Sequence, residues 1–306
     1  MIQVCLSFFF KFKAKLFKYF LLIALLLSFF VSTALAQVPA VSAWDRTYGG
    51  SGVDQLRSIV PTLNGGYLLG GESNSNADGD KTEASKGSYD YWVIKLNEDG
   101  SKAWDKTYGG SSWDRLYSMI NIPDGGYLLG GESLSGPSGN KNEPSRYSYD
   151  FWIIKLNEDG SKAWERVYGG DSFDYLYSMV ATPDGGFLLG GSSSSGVGGD
   201  KSEPSRGNSD YWVVKIDADG NKIWDRTYGG SENDQIFSLV STSDGGYLLG
   251  GPSSSGASGD KSEPSRGNSD YWVVKIDADG NMVWNRTYGG ISSDGLQSIV
   301  HTSDDG

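Results

Sequence analysis

The sequence predicts an all-β fold built from tandem four-stranded antiparallel sheets. Three observations predict it. The first is a repeat: "WDRTYGG" at Trp44 returns as "WDKTYGG" at Trp104, "WERVYGG" at Trp164, "WDRTYGG" at Trp224 and "WNRTYGG" at Trp284, always 60 residues on. The second is turn chemistry: among 44 glycines, Asn-Gly and Asp-Gly pairs recur at fixed places in every unit, where a positive φ lets one strand double back on the next. The third is that no stretch after residue 36 carries apolar residues at helical spacing.

Each unit holds four strand signals. The first is "LRSIVPT" (Leu56–Thr62), followed by a turn written "LNGG" or "PDGG". The second is "YLLGGES" (Tyr67–Ser73), which leads into a long polar loop. The third is "YWVIKL" (Tyr91–Leu96), rich in the aromatic and β-branched residues of a buried strand. The turn "NEDGS" or "DADGN" then leads to the fourth, "KAWDKTY" (Lys102–Tyr108). In the third strand Trp92, Ile94 and Leu96 point one way and Tyr91 and Val93 the other, and both sets are apolar. A sheet with two apolar faces must be covered on both, so each unit packs between its predecessor and its successor. Stacking around an axis does this and predicts a β-propeller-like array. An open superhelical stack is the main alternative, and a β-solenoid fits less well because its coils are much shorter.

The boundaries follow from the period. Residues 51–110, 111–170, 171–230 and 231–290 are four complete units, with partial blades at both ends. Residues 37–50 read as a strand that closes a ring, and residues 291–306 as a truncated fifth unit. The sequence stops at "LQSIVHTSDDG", inside a hairpin, and a native end there would expose strand edges. The expectation is a fragment of a longer protein.

Residues 1–36 stand apart. Lys11, Lys13, Lys15 and Lys18 precede the apolar run Tyr19–Val31, and Ala34 and Ala36 flank Leu35 in an A-x-A pattern. This is a secretory signal peptide cut after Ala36, and the apolar run is short for a membrane span. The remaining 270 residues carry no cysteine, and 22 basic residues stand against 38 acidic ones, a net charge of −16. Such a chain repels phosphate backbones, which argues against nucleic acid. No later segment is apolar enough to span a membrane. An extracellular or cell-surface location is expected, with stability supplied by packing and not by disulfides.

The order of Gly-Gly, Tyr-Asp and Trp resembles kelch repeats, with a longer middle loop. The full unit, "WDKTYGGS" through "PDGGYLLGG" and "DYWVVKI" to "DGN" and Trp, resembles more closely the tandem repeats of secreted and cell-surface proteins of Bacteroidetes. Those proteins often carry a sorting domain for type IX secretion. The resemblance covers nearly all of the chain after residue 36. It implies export and a propeller-like fold, and it implies no catalytic residues. No sorting domain is present in this sequence.

The meander places the inter-unit corners and long loops on one side, where the units differ most. That side is the expected binding face. Its corner residues are Asp54, Asp114, Asp174, Asp234 and Asp294, with the aromatics Trp113 and Phe173. The aromatics suit stacking on a sugar or a protein. The aspartates suit the same face, or else hydrogen bonds within their own corners. Asp217, Asp219 and Asn221 resemble the start of a calcium loop, but the positions that should be Gly and Glu are Lys222 and Tyr228. No cofactor is expected, with calcium a weak candidate. The single histidine, His301, and the absence of cysteine after residue 36 exclude triad and His-zinc chemistry from the complete units. Carboxylate-based cleavage of polysaccharides remains open, although no acidic residue stands out as unique to one unit. The expected function is a binding or adhesion scaffold for an extracellular glycan or protein. The alternatives are a polysaccharide-degrading enzyme acting on the same face and a structural spacer.

Overall fold

The computed structural model describes residues 44–302, residue 124 excepted. The expected signal peptide (1–36), residues 37–43 and the last four residues lie outside this range. Contacts divide the chain after Trp44, and the unit from Asp45 onward holds every strand among the described residues. Among the described residues no helix is long and apolar enough to cross a membrane.

The chain is an all-β, propeller-like array of four-stranded antiparallel blades. Blade 1 contains β1 (Asp54–Pro61), β2 (Tyr67–Ser73), β3 (Asp90–Leu96) and β4 (Lys102–Tyr108). Blade 2 contains β5 (Asp114–Asn121), β6 (Tyr127–Ser133), β7 (Asp150–Leu156) and β8 (Lys162–Tyr168). Blade 3 contains β9 (Asp174–Ala181), β10 (Phe187–Ser193), β11 (Asp210–Ile216) and β12 (Lys222–Tyr228). Blade 4 contains β13 (Ser238–Ser241), β14 (Tyr247–Ser253), β15 (Asp270–Ile276) and β16 (Met282–Tyr288). Every blade is a meander in chain order, and the first strands β1, β5, β9 and β13 touch one another in succession.

The Gly-Gly doublet in the second strand has two separate jobs. A Cβ on Gly131 would stand 1.9 Å from the Arg115 carbonyl oxygen, so Gly131 lets the first strand bulge against it. A Cβ on Gly130 would stand 2.4 Å from the sulfur of Met179, so Gly130 admits a side chain of the next blade.

The core lies between blades and not within one. The ring of Tyr91 lies 4.8 Å from that of Trp152, Phe151 lies 4.7 Å from Trp212, and Tyr211 lies 4.7 Å from Trp272. The Tyr91 hydroxyl donates to the Trp152 carbonyl at 3.0 Å, and the Tyr211 hydroxyl to that of Trp272 at 2.7 Å. A second clasp sits further out: Tyr108, Tyr168 and Tyr228 donate to the carbonyls of Gly160, Gly220 and Gly280 in the following blade. Each buried aromatic contributes about 1.5–3 kcal/mol by removal from water, and each ring pair roughly 0.5–1.5 kcal/mol more.

The end segments differ from expectation. Residues 45–50 form no strand, although the Tyr48 hydroxyl donates to the Gly100 carbonyl as the fourth-strand tyrosines do. Residues 291–302 form no strand either, yet Ile299 N donates to Ser238 Oγ at 2.9 Å, as Leu239 N donates to Ser178 Oγ at 3.1 Å. Each segment takes the place of a blade strand. Neither has a ladder partner among the described residues, and a strand is defined by its partner.

The interior position of the first strand tests this packing. Met179 is 3% exposed and its counterpart in blade 1, Ile59, is 55% exposed. In urea unfolding, Met179→Ala should cost about 2–5 kcal/mol, and Ile59→Ala no more than about 0.5 kcal/mol. Equal losses would mean that the outer face of blade 1 is covered as well as the interior faces.

Candidate functional site

The corner that joins two blades is held from inside. Asp114, Asp174 and Asp234 are fully buried. Each accepts the amide of the glycine four residues earlier (Gly110, Gly170 and Gly230) at 2.8 Å. Each also accepts a serine hydroxyl: Ser135 at 2.8 Å, Ser195 at 3.0 Å and Ser255 at 2.8 Å. Burial raises the pKa of all three carboxyls, against those bonds. Asp54 and Asp294 are partly buried and accept Gly50 N and Gly290 N at 2.8 Å. The aspartates therefore staple their own corners, and a ligand on the surface does not reach the buried three.

The long loop is likewise built inward. Lys141 is 2% exposed, and its ammonium donates to the Ser135 carbonyl at 3.1 Å and lies 5.5 Å from the Trp152 ring. Its counterpart Lys201 donates to Thr227 Oγ1 at 2.7 Å, and burial pushes its pKa down to about 8. Glu143 accepts Val167 N at 2.8 Å, and Ser145 donates to the Ser133 carbonyl at 2.7 Å. Much of the loop is thus a lid packed on its own blade. On the opposite side, Asp217 accepts the amides of Asp219 at 2.9 Å and Asn221 at 2.8 Å, and the Asn221 side-chain amide at 2.9 Å. Both carboxylate oxygens hold the hairpin turn, and among the described residues no three His, Cys, Asp or Glu side chains converge as metal ligands.

An aromatic ladder crosses the inner strands instead. The first strand bulges between Leu56 and Ser58 in blade 1 and between Leu116 and Ser118 in blade 2, with the same irregularity in blade 3. A bulge takes one residue out of the ladder and re-aims its side chain. Those residues are Arg57, Tyr117 and Tyr177, and they form a row with Phe237. The Arg57 guanidinium lies 5.5 Å from the Tyr117 ring, Tyr117 lies 5.3 Å from Tyr177, and Tyr177 lies 5.1 Å from Phe237. A second row joins it at Tyr177. Trp113 stacks on Tyr89 at 4.7 Å and under Arg115 at 4.4 Å. Phe173, 46% exposed, lies 6.5 Å from Tyr149 and 5.9 Å from Tyr175, and Tyr175 lies 6.4 Å from Tyr177.

Two buried glutamates lie against the arginines of this surface. Glu132 accepts from Arg115 at 3.0 Å, and Glu72 from Arg57 at 2.9 Å, with Arg115 a further 3.8 Å from Glu72. Burial pushes the Glu132 carboxyl up to about 7, with Glu72 adding to the rise and Arg115 opposing it. At the same position blades 3 and 4 have Ser192 and Pro252. The carboxylates thus occupy two blades, in keeping with the expectation that no acidic residue is unique to one unit, and their absence from the other two sets these blades apart.

The structure links Trp113 to Phe173 through Arg115 and Tyr149, and leaves the corner aspartates as the frame. Sequence reasoning missed Arg57, Glu72, Arg115, Tyr117, Glu132 and Tyr177. The available signal was deviation within the repeat. Positions 57, 117, 177 and 237 read Arg, Tyr, Tyr, Phe in a unit that otherwise barely changes.

No family model matches the chain. It is 22% identical over 273 residues to the regulatory protein FlaEY of Caulobacter vibrioides, covering 82% of this chain and 29% of that protein. The chain thus spans less than a third of the curated relative's length. Among solved structures, a Bacteroides caccae protein of unknown function is 12% identical, with 82% and 74% of the two chains covered and a TM-score of 0.44. The apocarotenoid oxygenase of Synechocystis is 14% identical, with 79% and 51% covered and a TM-score of 0.40. Likenesses this distant assign no chemistry.

Two outcomes follow from this geometry. Asp174→Ala removes the acceptor for Gly170 N and Ser195 Oγ and should cost roughly 2–3 kcal/mol in urea unfolding; an unchanged midpoint would deny the staple. For Glu132 burial holds the folded pKa at about 7, above the ordinary 4.5 of the unfolded chain. The folded chain then holds the extra proton between these values, so this group makes stability fall as pH rises through that window. Asp90 and Asp150, raised to about 7 by burial, act in the same direction. Glu132→Gln should make the fall shallower, and an unaltered slope would remove Glu132 as a contributor.

Proposed function

We propose that the chain is an exported binding module that holds an extracellular glycan on the aromatic ladder. The single observation that carries this reading is the run of half-exposed rings from Phe173 through Tyr175 and Tyr177 to Phe237, to which the Tyr89–Trp113 stack is joined through Arg115 and Tyr149. Flat rings present C–H-compatible faces to sugars, and Arg57 and Arg115 add fixed N–H donors beside them. The signal-peptide pattern at residues 1–36 and the negative charge of the rest support export and argue against nucleic acid.

A second reading, cleavage of a polysaccharide, is favoured by one observation: Glu72 and Glu132 share Arg115, and burial pushes the Glu132 carboxyl up to about 7. A carboxyl that keeps its proton near neutral pH beside a second carboxyl group suits the acid role in such cleavage. Both are nearly sealed from solvent, which makes recognition the stronger reading.

A glycan array followed by calorimetry tests it. Binding should be saturable, and Trp113→Ala and Tyr177→Ala should each weaken it about tenfold, as aromatic anchors do. An array without signal from the folded chain would leave a spacer role. Release of reducing ends from a bound polysaccharide, lost in Glu132→Gln, would establish the enzyme.

A further inference from the structure

The outward face of blade 1 repeats the face by which each later blade receives its predecessor. Leu56, Ile59 and Trp92 stand where Leu116, Met119 and Trp152 stand in blade 2. Leu116 and Trp152 are fully buried and Met119 is 3% exposed, whereas Leu56 is 56% and Ile59 55% exposed, and of the blade 1 three only Trp92, at 6%, is buried, with Tyr48 against its cluster. A cavity of about 270 Å³ opens on this face, lined by Tyr48, Leu56, Leu69, Gly71, Trp92 and Ile94 among others.

The interior interfaces identify what fits it. At the corresponding place between blades 1 and 2, Tyr91 lies on Trp152 and donates to its carbonyl at 3.0 Å. A Cβ on Gly131 would stand 2.8 Å from the Tyr91 hydroxyl oxygen. Gly71 and Trp92 are the counterparts of Gly131 and Trp152. The neighbouring position is already filled, because Tyr48 donates to the Gly100 carbonyl as Tyr108 does to that of Gly160. Within a blade Tyr91 pairs directly with Tyr108 across the ladder. A strand laid beside residues 45–50 in that register would carry its aromatic side chain into the cavity.

We propose that this cavity is a docking site for an extended peptide strand bearing a Tyr or Phe, of the type of the third strand of this repeat, Asp-(Tyr/Phe)-Trp-(Val/Ile)-(Val/Ile)-Lys. The aromatic ring fills the space between Gly71 and Trp92. The main chain adds to the edge at Tyr48, and the flanking apolar residue covers Leu56. This is recognition by strand addition, in which main-chain bonds supply affinity and one pocket supplies specificity. The occupant follows from continuity with three interior interfaces of the same design. It is independent of the aromatic ladder.

The test uses the full chain and a fluorescent peptide with the sequence of residues 208–218, NSDYWVVKIDA. Anisotropy should show saturable binding. A peptide carrying Tyr211→Ala should bind at least tenfold more weakly. The chain variants Leu56→Glu and Ile59→Glu, both at exposed positions, should keep the urea midpoint of the parent and lose peptide binding at least tenfold. Equal binding of the two peptides, or binding indifferent to both variants, overturns the proposal. A dimer dispersed by Leu56→Glu, with no peptide binding, also overturns it and gives the face to a second copy.

Discussion

One contact recurs between every pair of adjacent blades, and the rest of the architecture depends on it: an aromatic ring on the third strand of one blade lies against the tryptophan of the next. Tyr91 on Trp152, Phe151 on Trp212 and Tyr211 on Trp272 keep centroid separations of 4.7–4.8 Å. A blade is one sheet with two apolar faces, so it has no interior of its own. Its hydrophobic stabilisation appears only when a neighbour arrives, as in other repeat proteins whose stability is a sum of nearest-neighbour terms. The outer tyrosine clasp to the glycine carbonyl fixes the spacing of the same interface from the rim.

The corners show how a uniform frame supports a local site. Asp114 and Asp150 of one unit surround Lys141, so each buried ammonium has carboxyls within electrostatic reach. Such clusters are costly to desolvate, and breaking one partner leaves a buried charge behind. They hold the long loop and the corner rigid at the ends of the first strands. The first-strand residues of the row emerge from this rigid frame and vary in kind: Arg57, Tyr117, Tyr177 and Phe237, with Glu72, Glu132, Ser192 and Pro252 beside them. The positions proposed for recognition are those whose identity the interfaces between blades do not dictate.

The strands were legible in the sequence because their signal is alternation plus turn chemistry, and both are local. The second and fourth strands of blade 1 begin and end where Tyr67–Ser73 and Lys102–Tyr108 place them. The two-faced third strand announced the stacking of blades in the same way. The site was less legible for two reasons. A bulge depends on how two strands register, so nothing in "DRLYSMIN" reveals that Tyr117 leaves the ladder. Charged residues are also usually solvated, so nothing in the sequence marks Lys141, Asp114 and Glu132 as the buried groups they are. Trp113 and Phe173 stood out because an aromatic that breaks a repeat is conspicuous. Arg57 and Glu72 break it more quietly.

The sameness of the seams has an evolutionary consequence. Every blade presents one standard coupling forward and its matching socket backward, built from residues that recur every 60 positions. Unequal recombination between two such stretches of gene would insert or delete a whole module, and the new junction would reproduce the old chemistry at once. Variation in length is therefore structurally cheap in this design, while changes inside a module must satisfy two neighbours together.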